Sequence, residues 1–181
     1  MKYKLYLVCF LLILPILVAA QDEPIKLGVV GLSHGHVGWI LDRQDSSDIK
    51  MVGIVETDTA LINRLSSQFG FSKNIVFGSI EEMIASAQPE AVAAFGNIFD
   101  HLEVVQKCAP KGIHVMVEKP LAVSLEHALE MEKLAKAHKI HLLTNYETSW
   151  YPTNEEAKEL LDKGIIGNLR KVIVRDGHKG P

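Results

Sequence analysis

Cysteine is scarce in this chain of 181 residues: Cys9 and Cys108 are the only two. That excludes a disulfide-stapled scaffold and a cysteine-rich zinc module. An excess of basic charge is also missing. Nineteen Lys and Arg stand against 22 Asp and Glu, a formal net charge of −3, so nothing favours nucleic acid as a partner. Aromatics are few, at 7%, but 48% hydrophobic and 23% charged residues are ordinary for a globular chain. Disorder and collagen are therefore excluded. After residue 20 no apolar run approaches the ~20 residues that cross a bilayer, which excludes a polytopic membrane protein. Internal repeats, low-complexity stretches and flexible linkers are absent as well.

The first twenty residues stand apart. Lys2 and Lys4 precede an apolar run over 5–18, and Val18-Ala19-Ala20 offers the positions a signal peptidase reads. This is a Sec-type signal peptide pattern over 1–20, without a twin arginine. The apolar stretch is broken by Pro15 and is short of a spanning length, so cleavage is expected over anchoring. The expected location is periplasmic or extracellular, with membrane anchoring if the segment stays uncleaved. Cys9 lies too early to become a lipidated cysteine after a cleavage site.

Continuous apolar runs follow at intervals of roughly 20 to 30 residues: 25–31, 51–56, 75–77, 91–95, 114–117 and 140–144. Helical stretches separate them, over 36–41, 60–69, 80–86, 98–109 and 124–138. Gly70 stops the second helix, and Ser124 caps the last, with Leu125, Leu129 and Met131 expected to face inward. Strands that are apolar throughout are strands covered on both faces. Six of them alternating with helices give an α/β fold, a Rossmann-type doubly wound parallel sheet. From Trp150 the rhythm changes to a helix over 154–163 and a strand with charges over 169–176. The expected organisation is a signal peptide over 1–20, a nucleotide-binding domain over 21–149, and over 150–181 the start of a second α/β domain with an open sheet.

Parallel sheets bind ligands beyond the C-terminal ends of their strands. The loops there hold Gly31-Leu32-Ser33-His34-Gly35-His36, then Glu56, Asn97 with Asp100-His101, Glu118-Lys119-Pro120, and Asn145-Tyr146-Glu147. Gly31 opens a strand–turn–helix that can face a pyrophosphate, although Ser33 and His36 occupy the second and third positions of the G-x-G-x-x-G fingerprint. Glu56 ends the second strand, where a carboxylate accepts the ribose hydroxyls of adenosine. No Arg or Lys occurs over 57–63 to receive a 2′-phosphate, which favours NAD over NADP. His34 and His36, with Asp100 and His101, also have the composition of zinc ligands. No further acid–histidine cluster completes such a site in the sequence, and no metal is expected. Pro120 disfavours helical angles at Lys119 and aims it from the sheet edge. A lysine there can hydrogen-bond a substrate oxygen, and when partly buried it can shuttle a proton.

These residues carry a resemblance to the Gfo/Idh/MocA family of glucose–fructose oxidoreductase, inositol dehydrogenase and rhizopine-catabolism proteins. The motifs are Gly28-Val29-Val30-Gly31, Val55-Glu56, Asn97 with His101, Gly112-Ile113-His114-Val115-Met116-Val117-Glu118-Lys119-Pro120-Leu121-Ala122, Asn145-Tyr146, and Gly164-Ile165-Ile166-Gly167-Asn168-Leu169. They extend over about 25–176. The resemblance implies a bound NAD(P), Lys119 near the nicotinamide as the catalytic residue, and a C-terminal domain that carries the substrate. It implies cofactor contacts from Gly31, Ser33, His34, His36, Glu56, Asn97, His101, Glu118 and Lys119. The sequence stops before the Asp-to-His motif that completes the family's active site, so it is expected to be the N-terminal part of the enzyme. His178 lies in no matching context.

The expected activity is hydride transfer from a sugar or polyol hydroxyl to NAD, with a carbohydrate substrate and homo-oligomers formed through the second domain's sheet. Two alternatives remain: an exported, redox-neutral lyase or glycosidase that retains its NAD, and a non-catalytic NAD-binding protein.

Overall fold

The computed structural model describes residues 23–43 and 46–173. The signal peptide expected over 1–20 lies outside them. Among the described residues no helix is long and apolar enough to cross a membrane.

Six strands form one parallel sheet: β1 (Ile25–Val30), β2 (Ile49–Val55), β3 (Val76–Phe77), β4 (Ala91–Ala94), β5 (His114–Glu118) and β6 (Leu142–Asn145). Their order is β3-β2-β1-β4-β5-β6. This is the doubly wound order in which the winding reverses between β1 and β4. The helices are α1 (Val37–Leu41), α2 (Thr59–Phe69), α3 (Ile80–Ala87), α4 (His101–Cys108), α5 (Leu125–His138) and α6 (Pro152–Asp162).

Local chemistry sets the helix ends. The Asp58 carboxylate accepts the N–H groups of Ala60 and Leu61 and starts α2, and Gly70 ends it with φ of 75°. Ser79 accepts from the N–H of Glu82 to start α3, and Ser124 accepts from that of His127 to start α5.

Alternate residues of the central strands enter opposite cores. Ala93 and Phe95 pack with Leu27, Val29, Ile54, Leu41 and Leu65 on the α1–α2 side. Val92, Ala94, Val115 and Val117 pack with Met83, Val105, Cys108 and Met131 on the α3–α5 side. Burial on both faces is why these strands are apolar throughout.

Two expectations are corrected. On α5 the inward residues are Met131 and Ala135, whereas Leu125 is 75% and Leu129 55% exposed. Positions two apart on a helix point about 200° apart, so Leu129 and Met131 cannot share a face. The strand expected over 169–176 does not form over 169–173, and 174–176 lie outside the described residues. A strand exists only through bonds to a neighbour, and no described segment pairs with 169–173.

Candidate functional site

The exits of β1 and β4 meet at the reversal point. Gly31 has φ of 78°, and a Cβ there would lie 2.5 Å from the Cα of Gly96. Only glycine permits both the conformation and the approach. The turn then passes Glu56 at the end of β2. One Glu56 oxygen accepts the Leu32 N–H at 3.0 Å, and the other accepts those of Thr57 and Asp58 at 2.8 and 3.0 Å. Three backbone donors thus fix this half-buried carboxylate beside the first turn.

The arrangement fits the adenosine end of a dinucleotide. An ionised carboxylate has about four acceptor sites, so Glu56 keeps capacity for a ribose hydroxyl. In the turn itself, the Leu32 N–H serves Glu56, the His34 N–H serves the Phe95 carbonyl and the His36 N–H serves His34 Nδ1. Among the described residues, the N–H groups of Ser33 and Gly35 carry no such bond and are the donors left for an anion. The exposed Ser33 reaches the Phe95 carbonyl with its hydroxyl at 3.4 Å.

The two histidines of the turn point across the sheet to β5 and β6. His36 stacks on Trp39, with ring centres 4.3 Å apart, and meets His34 edge-on at 4.5 Å. Its Nε2 lies 2.7 Å from a Glu147 carboxylate oxygen, and its Nδ1 lies 3.1 Å from Glu118 Oε1. Burial holds His34 below the ordinary histidine pKa. The Glu118 carboxylate opposes that shift, and the neighbouring His36 and Lys119 reinforce it. Glu118 ends β5, is 2% exposed, and accepts the Asn145 Nδ2–H at 2.8 Å through Oε2. Lys119 follows it across a cis peptide bond to Pro120. The Lys119 side chain is exposed rather than partly buried, because nothing in the described chain covers this loop.

Asn97 and His101 take other parts. The exposed Asn97 caps the short helical turn over 98–100, its side-chain oxygen accepting the Phe99 N–H at 2.9 Å. His101, 1% exposed, lies 3.1 Å through Nδ1 from the Leu121 carbonyl and so ties α4 to the loop after Lys119. Its Nε2 is buried without a hydrogen-bond partner. Burial lowers the pKa of His101, against the raising effect of the Leu121 and Pro120 carbonyls. Among the described residues the potential ligand atoms that come together are those of His34, His36 and Glu118, and neither His101 nor Asp100 is among them. Burial pushes the Cys108 thiol up to about 12, which leaves it an unreactive core group.

The sequence placed Asn145 and Glu147 at the same edge but gave them no role. Asn145 is the register partner of Glu118 on the neighbouring strand. That pairing of two polar strand ends was the available signal. The structure thus brings together Gly31, Ser33, His34, His36, Glu56, Glu118 and Lys119, with Asn97 and His101 in supporting positions.

Comparison with known proteins gives the same direction. The family model for the oxidoreductase family with an NAD-binding Rossmann fold, GFO_IDH_MocA, matches residues 25–146. An uncharacterized oxidoreductase of Synechocystis is 26% identical over 156 residues, 85% of this chain and 41% of that protein. Mouse trans-1,2-dihydrobenzene-1,2-diol dehydrogenase is 26% identical over 81% of this chain and 44% of its own length. This chain thus spans under half the length of these relatives. The crystal structure of Lactobacillus casei scyllo-inositol dehydrogenase with NAD(H) and scyllo-inositol superposes with a TM-score of 0.66 at 23% identity, covering 81% of this chain and 43% of that one. An Agrobacterium radiobacter oxidoreductase superposes at 0.70 with 20% identity, over 81% and 42% of the two chains. A β1 turn fixed on Glu56, a doubly wound sheet and a match across that whole sheet lead to one conclusion: the chain belongs to the Gfo/Idh/MocA oxidoreductase family, with its NAD-binding Rossmann fold.

Proposed function

We propose that the full-length protein is an NAD-dependent oxidoreductase acting on a sugar or polyol hydroxyl, and that this chain supplies its nucleotide-binding half. The observation that carries the reading is the Glu56 carboxylate, held by three backbone N–H groups beside the Gly31 turn. A carboxylate so placed accepts a ribose hydroxyl and repels a 2′-phosphate. The preference for NAD over NADP follows. The diol and inositol dehydrogenases among its relatives and structural neighbours support a polyol substrate.

When bound, NAD supplies a hydride acceptor. Lys119, exposed beside His34 and Glu118, donates a hydrogen bond to the substrate oxygen and moves its proton. Asn145 holds Glu118 in place at the end of β5. A second domain carries the substrate and associates the subunits.

Calorimetric titration of the full-length protein with NAD and NADP tests the cofactor assignment. Tighter binding of NAD is expected, and tighter binding of NADP sinks the assignment. Glu56→Ala narrows the preference by about 1–2 kcal/mol, the scale of a charge-assisted hydrogen bond.

The leader-like residues 1–20 favour a second reading. An exported chain has no obvious pool of NAD to exchange with, so the enzyme would retain one molecule and run a redox-neutral cycle. Denaturing protein purified from the exported fraction and assaying released nucleotide tests this. Exported protein that emerges empty and consumes added NAD stoichiometrically refutes retention. Protein found only in the cytoplasm with residues 1–20 intact refutes export.

A further inference from the structure

We propose that His34, His36 and Glu118 form a binding site for one divalent metal ion of the zinc class at the C-terminal edge of the sheet. Each of the three residues brings one potential ligand atom within 4.8 Å of those of the other two. His36 Nδ1 and Glu118 Oε1 are 3.1 Å apart. Two ligands of a tetrahedral zinc, each about 2.0–2.1 Å from the ion, stand about 3.3 Å apart. That pair already has the spacing, and His34 brings a third ligand atom within 4.8 Å of both.

Two features point to a cation between these atoms. First, His36 Nδ1 and Glu118 Oε1 are both buried, and neither has a hydrogen-bond partner despite their separation. Glu147 Oε2 lies 2.7 Å from the other ring nitrogen, and with the ring proton held on that side the lone pair lies on Nδ1. At 3.1 Å a lone pair then faces a carboxylate oxygen too closely for a water to fit between, an arrangement that is costly unless a positive charge joins them. At 3.1 Å the two atoms are an ion pair only if a cation, a proton or a metal, joins them, and neither has a hydrogen-bond partner.

Second, both ligands are held from behind. Glu147 orients His36, and Asn145 donates to the remaining oxygen of Glu118 at 2.8 Å. A metal-bound histidine with a carboxylate on its other nitrogen, and a ligating carboxylate with its own donor, is the usual supporting shell of a metal centre. Two imidazoles and one carboxylate suit zinc and leave one position open for a water or a substrate oxygen. The ligands lie in the turn after β1 and at the end of β5, whereas Glu56 ends β2, and the cobalt readout does not depend on the dehydrogenase reading.

The experiment is a cobalt(II) titration of the chelator-stripped full-length protein, followed by visible absorption, with zinc(II) added in competition. Binding of one equivalent is expected, with the intense bands of a four-coordinate site, abolished by one equivalent of zinc. His36→Gln and Glu118→Gln each weaken binding by about 100-fold or more, and Glu147→Gln by about 10–100-fold, the scale for an outer-shell partner. Circular dichroism of each variant checks that the fold is retained. Absence of saturable cobalt bands in the unaltered protein overturns the proposal, whatever the variants do. Folded His36→Gln and Glu118→Gln proteins that bind cobalt as tightly as the unaltered one overturn it equally.

Discussion

Glu118 and Asn145 are register partners at the ends of neighbouring parallel strands, and their side chains are joined by a 2.8 Å hydrogen bond, with both residues buried. The bond satisfies one oxygen of a carboxylate that has almost no access to water. Its loss leaves that oxygen buried and unpaired, a cost of about 1–3 kcal/mol or more for a charged group. Asn145→Ala is therefore expected to lower the stability of the sheet by that amount in urea unfolding. Asn145→Asp places two carboxylates together and is expected to be worse at neutral pH.

Lys119 tests the chemistry rather than the fold. Because the side chain is exposed, Lys119→Met leaves stability within about 0.5 kcal/mol, the usual range for a surface change. In the full-length protein it is expected to keep NAD binding and lose about 100-fold or more in turnover, the scale for a lost proton-transfer group. Unchanged turnover, measured with saturating NAD, makes Lys119 an ordinary surface lysine.

His101 makes stability depend on pH. Burial depresses its folded pKa below the unfolded value of 6.5. The unfolded chain then binds the proton more readily, so stability rises with pH across that interval. The contribution is complete above 6.5, is lost as pH falls from there to the folded pKa, and changes no further below it. One proton gives a slope of at most about 1.4 kcal/mol per pH unit. His34, also depressed by burial, acts in the same direction. His101→Gln is expected to flatten the profile between pH 7.5 and 5.5 (about two units) in denaturant midpoints.

Gly31 is expected to tolerate no side chain. Gly31→Ala combines a positive φ with a Cβ 2.5 Å from backbone, and the backbone of Gly96 cannot swing aside as a side-chain tip can. A loss of about 2 kcal/mol or more is expected, from strain and overpacking together. Gly35→Ala, where nothing lies within 4 Å, is the control and is expected to be near neutral.

The sheet was legible because burial on both faces writes each strand as an unbroken apolar run, as in 91–95, and punctuates it with glycine. Glu56 was legible for a similar reason: its place depends on one strand end and one turn. The inward face of α5 was harder, since Leu129 and Met131 are equally apolar and only packing separates them. The junction of His36, Glu118 and Glu147 depends on β1, β5 and β6 being brought to one edge, which sets side-chain directions that no local pattern encodes. His101 looked like a ligand-facing residue at a helix start, but the Leu121 carbonyl draws it inward.

The side chain of Met83 lies under both Gly28 of β1 and Gly53 of β2. A Cβ on either glycine would come within 2.9 or 2.6 Å of it, while Met83 itself is wholly buried. Three positions from three elements thus share one volume, most tightly at Gly53, which meets the Cγ of Met83 rather than the tip of its side chain. The triad should drift through evolution as a unit, with a larger residue on either strand accompanied by a shorter one at 83. In a library randomised at all three sites, folded clones would then conserve summed side-chain volume rather than identity.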